Sequence, residues 1–439
     1  MSTILSSRIT PEEKHNASNN VHEQDIAAHS WYRFVLSFPP HLVRKYIREF
    51  GIAPGATLLD PFCGTGTTLV EAKKLGICAV GLEPSHMPRF ATQVKLNWAI
   101  EPQRLLKFAD QVAQKATECI ASHTGPRRTL SQDQMKLLIS NSICPEPLHK
   151  TMILRDAIHE GSEEPLVQCA KLALARVLVS RIGNLHFGPE VGVGKPKVDM
   201  DVIAIWLEQV KTVAKDLVEL SAIQSATSAE VMDADARSVG RLIQPGSIDA
   251  VVTSPPYPNE KDYTRATRLE SVILGFLSNR EDVRSVKQKL VRSNSKNMYK
   301  GDDDDAWVLN HDRIQVLAKC LEDRRLELNK TSGFERLYPS VAKQYFGGMA
   351  RHLAGLRLCL KPGASLAYVV GDQASYFRIM IRTGEILGEI AESLGYQVVR
   401  RDLFRTRYAT ATGENLREEV LILRWPGVGH SDLVSISSV

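Results

Sequence analysis

The sequence predicts an α/β fold. We expect a Rossmann-like sheet, mostly parallel, with an antiparallel hairpin at one edge, helices on both faces and a mainly helical insertion. Three observations predict it. The apolar segment ATLLD (56–60) runs into the glycine turn CGTG (63–66), the helix-forming TTLVEAKKLG (67–76) and a second apolar segment, ICAVGLE (77–83). Strand, glycine turn, helix and strand in that order make a βαβ unit. Strand-like segments resume at AEVMDAD (229–235), SIDAVVTS (247–254) and ASLAYVVGD (364–372). A last pair, YQVVRRDLF and EEVLILRW, suits an antiparallel hairpin at a sheet edge.

The remaining elements follow in order. Residues 1–28 are polar and read as a flexible tail. Pro39 and Pro40 should start a helix with Leu42, Val43 and Tyr46 on one face and Gly51 at its end. Residues 29–95 then form the first part of the core. Between 96 and 226 the alternation of strand and helix stops. ADQVAQKATECIA, LVQCAKLALARVLVS and DVIAIWLEQVKTVAKDLVEL carry apolar residues at three- and four-residue spacing, and GPEVGVGKPK (188–197) is a glycine-rich connection. This stretch reads as a helical insertion and a candidate for target recognition. Residues 227–274 and 336–439 supply the rest of the core, with KPG (361–363) turning the chain before its strand. Residues 275–335 form a second insertion, whose VRSNSKNMYKGDDDDA reads as a polar loop with Asp302 to Asp305 solvated.

Composition sets outer bounds. The chain is 43% hydrophobic and 24% charged, ordinary for a soluble globular protein. A net charge of +5 permits a polyanionic partner without demanding one. The seven cysteines, among them Cys63 and Cys144, never fall at C-x-x-C spacing. That argues against a disulfide framework and a structural zinc site, so no metal is expected. The N-terminus is polar and no apolar run reaches bilayer length, so a cytoplasmic setting without a membrane partner is expected.

Four places carry chemistry. In DPFCGTGTT (60–68), Gly64 and Gly66 let the backbone turn sharply and approach a ligand, and the N–H groups opening the next helix can receive an anion. The alternative is a tight turn with no ligand. Glu83 stands 23 positions after Asp60 at the end of the second strand, where an acid can accept ribose hydroxyl protons. A solvated acid would look the same. Asp235, with Asp233 as competitor, could accept from an adenine amino group or simply cap the following helix. Last, TSPPY (253–257) leaves an apolar strand. Its prolines stiffen the backbone and remove donors. Ser254 and the Pro255 carbonyl can then accept the two protons of a planar amine, and Tyr257 can stack on its ring. A proline-rich strand exit is the alternative.

DPFCGTGTT followed by TSPPY resembles the S-adenosylmethionine-dependent amino-methyltransferases of DNA, a family that includes restriction–modification enzymes. That resemblance implies a methyl transfer to N4 of cytosine or N6 of adenine in a flipped base, with S-adenosyl-L-methionine as cofactor. Asp60, Phe62, Cys63, Gly64, Gly66 and Thr67 would hold the cofactor's methionine side, Glu83 its ribose and Asp235 its adenine. Ser254, Pro255, Pro256 and Tyr257 would hold the target base. SFPPHLVRKYI resembles the family's helix closing over the methionine end, which adds Phe38 and Pro39. The serine of S-P-P-Y is more similar to the N4-cytosine members. The long insertion after the second strand departs from the common layout.

DNA contact is expected from Lys261, Arg265 and Arg268 beside the motif and from Arg292, Lys296 and Lys300 in the second insertion, although each could equally be a solvated surface residue. None of the cysteines follows a proline, which disfavours attack on a pyrimidine ring carbon. The resemblance further implies a prokaryotic, nucleoid-associated protein with a partner restriction endonuclease or defence system. An RNA amino-methyltransferase and a catalytically silent nucleic-acid-binding subunit are the alternatives.

Overall fold

The computed structural model describes residues 22–34, 37–187, 191–223, 227–409 and 413–427. Its strands, in chain order, are β1 (Thr57–Asp60), β2 (Cys78–Leu82), β3 (Leu185–Phe187), β4 (Val191–Val193), β5 (Ala229–Met232), β6 (Ile248–Thr253), β7 (Leu360–Gly371), β8 (Gln397–Ala409) and β9 (Glu414–Arg424). Seven form one sheet in the order β5-β2-β1-β6-β7-β9-β8. The first five are parallel, and β9 and β8 close the edge as an antiparallel hairpin. The chain moves outward from β1 to β2 and β5, then returns to β6 on the other side of β1. Ligands bind at such a reversal, beyond the C-terminal strand ends.

Strand periodicity divides the core between the two faces. Leu58, Ala250, Val252 and Ala367 point to one face, whereas Leu59, Val251, Leu366 and Tyr368 point to the other. The second face is covered by Tyr345, Phe346, Met349 and Leu353 of the helix Tyr338–Leu356. The first face is covered by the helices Pro40–Glu49 and Thr67–Lys74. Leu154, Leu172 and Trp206, from three insertion helices, share one apolar cluster with Leu58. The insertion therefore continues the apolar core of this face, packing on the helix His86–Lys95 through Glu164–Val177.

Four expectations are corrected. Residues 1–21 of the expected tail lie outside the described residues, but 22–28 pack: Ala28 is buried, and buried Asp25 pairs with Arg44 at 2.7 Å. Residues 191–193 of the expected glycine-rich connection form β4, which pairs antiparallel with β3. KPG is a bulge inside β7 rather than a turn before it. The ladder with β6 shifts register between Ile248 and Ala250, and Gly363 (φ 85°) gives its N–H to Trp425 O at 2.7 Å. The polar loop after Gln288 is buried in part, while Lys296, Lys300 and Asp303 stay exposed. Ser293, Asn294, Asn297 and Asp304 are each 3% exposed or less. Asp302 pairs with Arg292 at 2.6 Å, and Asp304 binds Arg237 and Arg351. Asp304 seats against Gly347, where an added Cβ would stand 1.9 Å from the Asp304 carbonyl oxygen.

Candidate functional site

The DPFCGTG turn leaves β1, and the SPPY turn leaves β6, which is hydrogen-bonded beside it. Both open into one cavity of about 240 Å³. Phe62, Cys63, Gly64 and Thr67 line it from the first turn; Ser254, Pro255, Pro256 and Tyr257 line it from the second. Phe38, Glu83, Asp235 and Lys261 complete the predicted residues that reach it.

The first turn is built from glycine. Gly64 (φ 50°) and Gly66 (φ 80°) both occupy left-handed backbone. Space is open where a Gly64 side chain would be, whereas a Cβ on Gly66 would stand 2.7 Å from Thr92. Gly66 thus serves the turn rather than the cavity wall. The turn is tied to the helix His86–Lys95: Thr92 Oγ1 donates to Gly64 O at 2.9 Å and Lys95 Nζ to Thr65 O at 3.0 Å. Burial lowers the Lys95 ammonium to about 7.

Asp60 is fully buried below the turn. Its Oδ1 accepts from Thr253 Oγ1 at 2.6 Å and from the Phe62 N–H at 3.1 Å. The Thr68 hydroxyl nearby is given to Val252 O, and Asp60 Oδ2 is buried without a hydrogen-bond partner. Burial pushes the carboxyl up to about 6, against the hydrogen bonds it accepts. Glu83, at the end of β2, accepts the Gly64 N–H at 3.1 Å and the Ser85 N–H at 2.7 Å. Burial pushes it up to about 7, opposed by those N–H groups and by Arg89.

Asp235 does cap the next short helix, accepting the Arg237 N–H at 2.9 Å, and also clamps the Arg237 guanidinium at 2.6 Å while lining the cavity. Its competitor Asp233 instead pairs with Arg89 and Lys289, at 2.9 and 3.0 Å. In the second turn, Ser254 Oγ donates to Val369 O at 3.2 Å, and the Tyr257 N–H is held by the Tyr263 hydroxyl at 3.0 Å.

Several predicted residues stand elsewhere. Pro39 is buried as the cap residue of the helix Pro40–Glu49. Arg292 is 3% exposed, with its guanidinium on Asp302 and backbone carbonyls, so it offers no surface to a phosphate. Arg268 turns back onto Thr264. Arg265 is half-buried in the short helix Tyr263–Ala266, while Lys296 and Lys300 are exposed. Sequence reasoning passed over Lys287, Arg405, Arg407 and Glu418, which also line the cavity. The β8–β9 hairpin brings in the last three, and no local motif marks them. Among the described residues, His22, Asp25 and His41 bring metal-ligand atoms within 4.8 Å of one another. Arg44 already takes both Asp25 oxygens.

A glycine turn, an acid at the next strand end and the SPPY turn around one cavity fit a group-transfer enzyme with a nucleoside-type cofactor. Comparison with known proteins finds similar sequences among DNA methyltransferases. A family model described as "DNA methylase" matches residues 2–87. The Type II methyltransferase M.BsoBI of Geobacillus stearothermophilus is 24% identical over 424 residues, 85% of this chain and 79% of that protein. The Type II methyltransferase M.AvaI of Nostoc is 25% identical over 393 residues, 84% of this chain and 79% of that protein. The tRNA (guanine(10)-N2)-dimethyltransferase of Methanothermobacter thermautotrophicus is 43% identical over 47 residues, 11% of this chain and 14% of that protein. These matches support the amino-methyltransferase family of DNA methyltransferases. Its cofactor is S-adenosylmethionine. The residues present fit that molecule: the open space at Gly64 admits a ligand against backbone, and the Glu83 carboxylate lines the same cavity; the unpartnered Asp60 Oδ2 is buried beneath the turn and does not line it.

Proposed function

We propose that the protein methylates N4 of a cytosine flipped out of DNA. The observation that carries this reading is the single cavity shared by the DPFCGTG and SPPY turns. The match to Type II methyltransferases over most of the chain supports DNA over RNA as substrate.

Phe62 and Gly64 would hold the methionine end of the cofactor, Glu83 its ribose and Asp235 its adenine. When bound, the sulfonium supplies an electrophilic methyl group. The chain's own work is on the amine, a poor nucleophile because its lone pair is spread into the ring. Ser254 gives its proton to Val369 O, which leaves its oxygen lone pairs for one amine proton. The Pro255 carbonyl takes the other. Two such bonds concentrate the lone pair on nitrogen, and a fixed seat sets the approach. Tyr257 replaces the stacking that a flipped base loses. The serine of S-P-P-Y favours cytosine N4; adenine N6 is the alternative. Kinship to Type II methyltransferases carries the further expectation of a partner restriction endonuclease.

Modification-sensitive sequencing of DNA from a methylation-free host expressing the gene tests this. We expect N4-methylcytosine at a defined sequence, abolished by Tyr257→Ala. A wild-type gene that leaves no mark, or marks that survive both Tyr257→Ala and Ser254→Ala, would overturn the assignment.

A further inference from the structure

Two charged residues face the Tyr257 side of the cavity. Glu418 of β9 is 8% exposed and lines it. Arg405 of β8 lies opposite Glu418 in register, gives it the Nε–H and also lines the cavity. On the other side of Glu418 in register is Gly371 of β7. A Cβ there would stand 3.0 Å from Tyr257 Cε2 and 3.3 Å from Glu418 Cγ. The missing side chain lets the phenol ring and the carboxylate close over the strand end. Ser254 is bonded two residues earlier on the same strand, at Val369. Burial raises the pKa of the Tyr257 hydroxyl most; Glu418 adds to that rise and Arg405 opposes it. Strand stapling accounts for an ion pair between β8 and β9; it does not account for one turned toward the stacking tyrosine.

A guanidinium carries five N–H donors and no acceptor, and Glu418 occupies one of them here. Beside its amine, cytosine presents two adjacent acceptors, N3 and O2. Adenine presents N1 and then a carbon. Four remaining donors held at this edge suit cytosine. Against adenine, one N–H would face carbon, and an unmatched buried donor is costly.

We infer that Arg405, positioned by Glu418, reads the N3/O2 edge of the target base and selects cytosine over adenine. This rests on the cavity being the amine-transfer site. The test uses full-length protein, tritiated S-adenosylmethionine and methylation-free bacterial genomic DNA, with nucleoside mass spectrometry identifying the product. Arg405→Met should lower N4-methylcytosine formation by about 10- to 100-fold, with cofactor affinity within twofold of wild type. The exchange Arg405→Glu with Glu418→Arg restores an ion pair between the strands but moves the donors. A structural pair would be rescued by it; a reader would stay impaired. Full activity in Arg405→Met, rescue by the exchange, or an adenine product from the wild type would each overturn the inference and leave methyl transfer standing. A wild type that marks neither base removes both readings.

Discussion

Asp60 and Glu83 sit at neighbouring strand ends, and burial raises both carboxyls. Glu83 must be ionised to accept two hydroxyl protons. Cofactor affinity should therefore rise by about tenfold between pH 6 and pH 8, and Glu83→Gln should be weaker and flat with pH; titration calorimetry reads both. The stability of the ligand-free protein should move the other way. With carboxyls raised from 3.8 and 4.5 to about 6 and 7, the folded state binds more protons than the unfolded state between about pH 4 and pH 7. These two groups therefore make stability fall as pH rises through that window. A melting temperature whose fall across it persists in Asp60→Asn with Glu83→Gln would contradict this. Ser254→Ala should cut kcat by about 100-fold with cofactor binding unchanged, measured by single-turnover methylation. That Gly64, Glu83, Ser254 and Tyr257 line one cavity was legible because each belongs to a short local pattern. The hold of Arg237 on Asp235 was partly hidden, because Arg237 is itself anchored by Asp304, 67 residues away.

The loop carrying Asp302 to Asp305 shows what composition alone misses at the scale of an element. Four consecutive acids read as solvated, yet Asp304 is 1% exposed between Arg237 and Arg351. The arginines that neutralise it come from other segments, so nothing near the loop signals burial. What seats the loop is the Gly347–Gly348 step of the helix Tyr338–Leu356, which admits backbone where a side chain would clash. Gly347→Ala should cost about 1–3 kcal/mol of stability, read by urea unfolding. Cofactor affinity should weaken with it, because the same loop anchors Arg237 and through it Asp235. The hairpin β8–β9, by contrast, was legible from its alternating apolar residues, although its Arg405 and Glu418 gave no sign of lining the cavity.

For the whole molecule, the apolar segments and the βαβ unit were enough to predict a mostly parallel sheet with an antiparallel edge. The helical content of the insertion was also legible from its periodicity. That its helices share a core with the sheet was not, because periodicity shows that a helix has an apolar face but not what covers it. The surface charges separate by the same logic. Lys296 and Lys300 are exposed, so Lys296→Gln and Lys300→Gln should each reduce the salt dependence of DNA binding by about one unit of slope. Arg292→Gln should leave that slope unchanged and lower the melting temperature, because its charge is spent on Asp302 inside the fold. Binding isotherms at several salt concentrations distinguish the two cases.

Thr92 and Lys95 hold the carbonyls of Gly64 and Thr65 from the helix His86–Lys95, and that helix rests on Glu164–Val177 of the insertion. The glycine turn and the insertion are thus fastened to one common rod, and a substitution that loosens the packing of that helix on Glu164–Val177 reaches the two turn carbonyls as well.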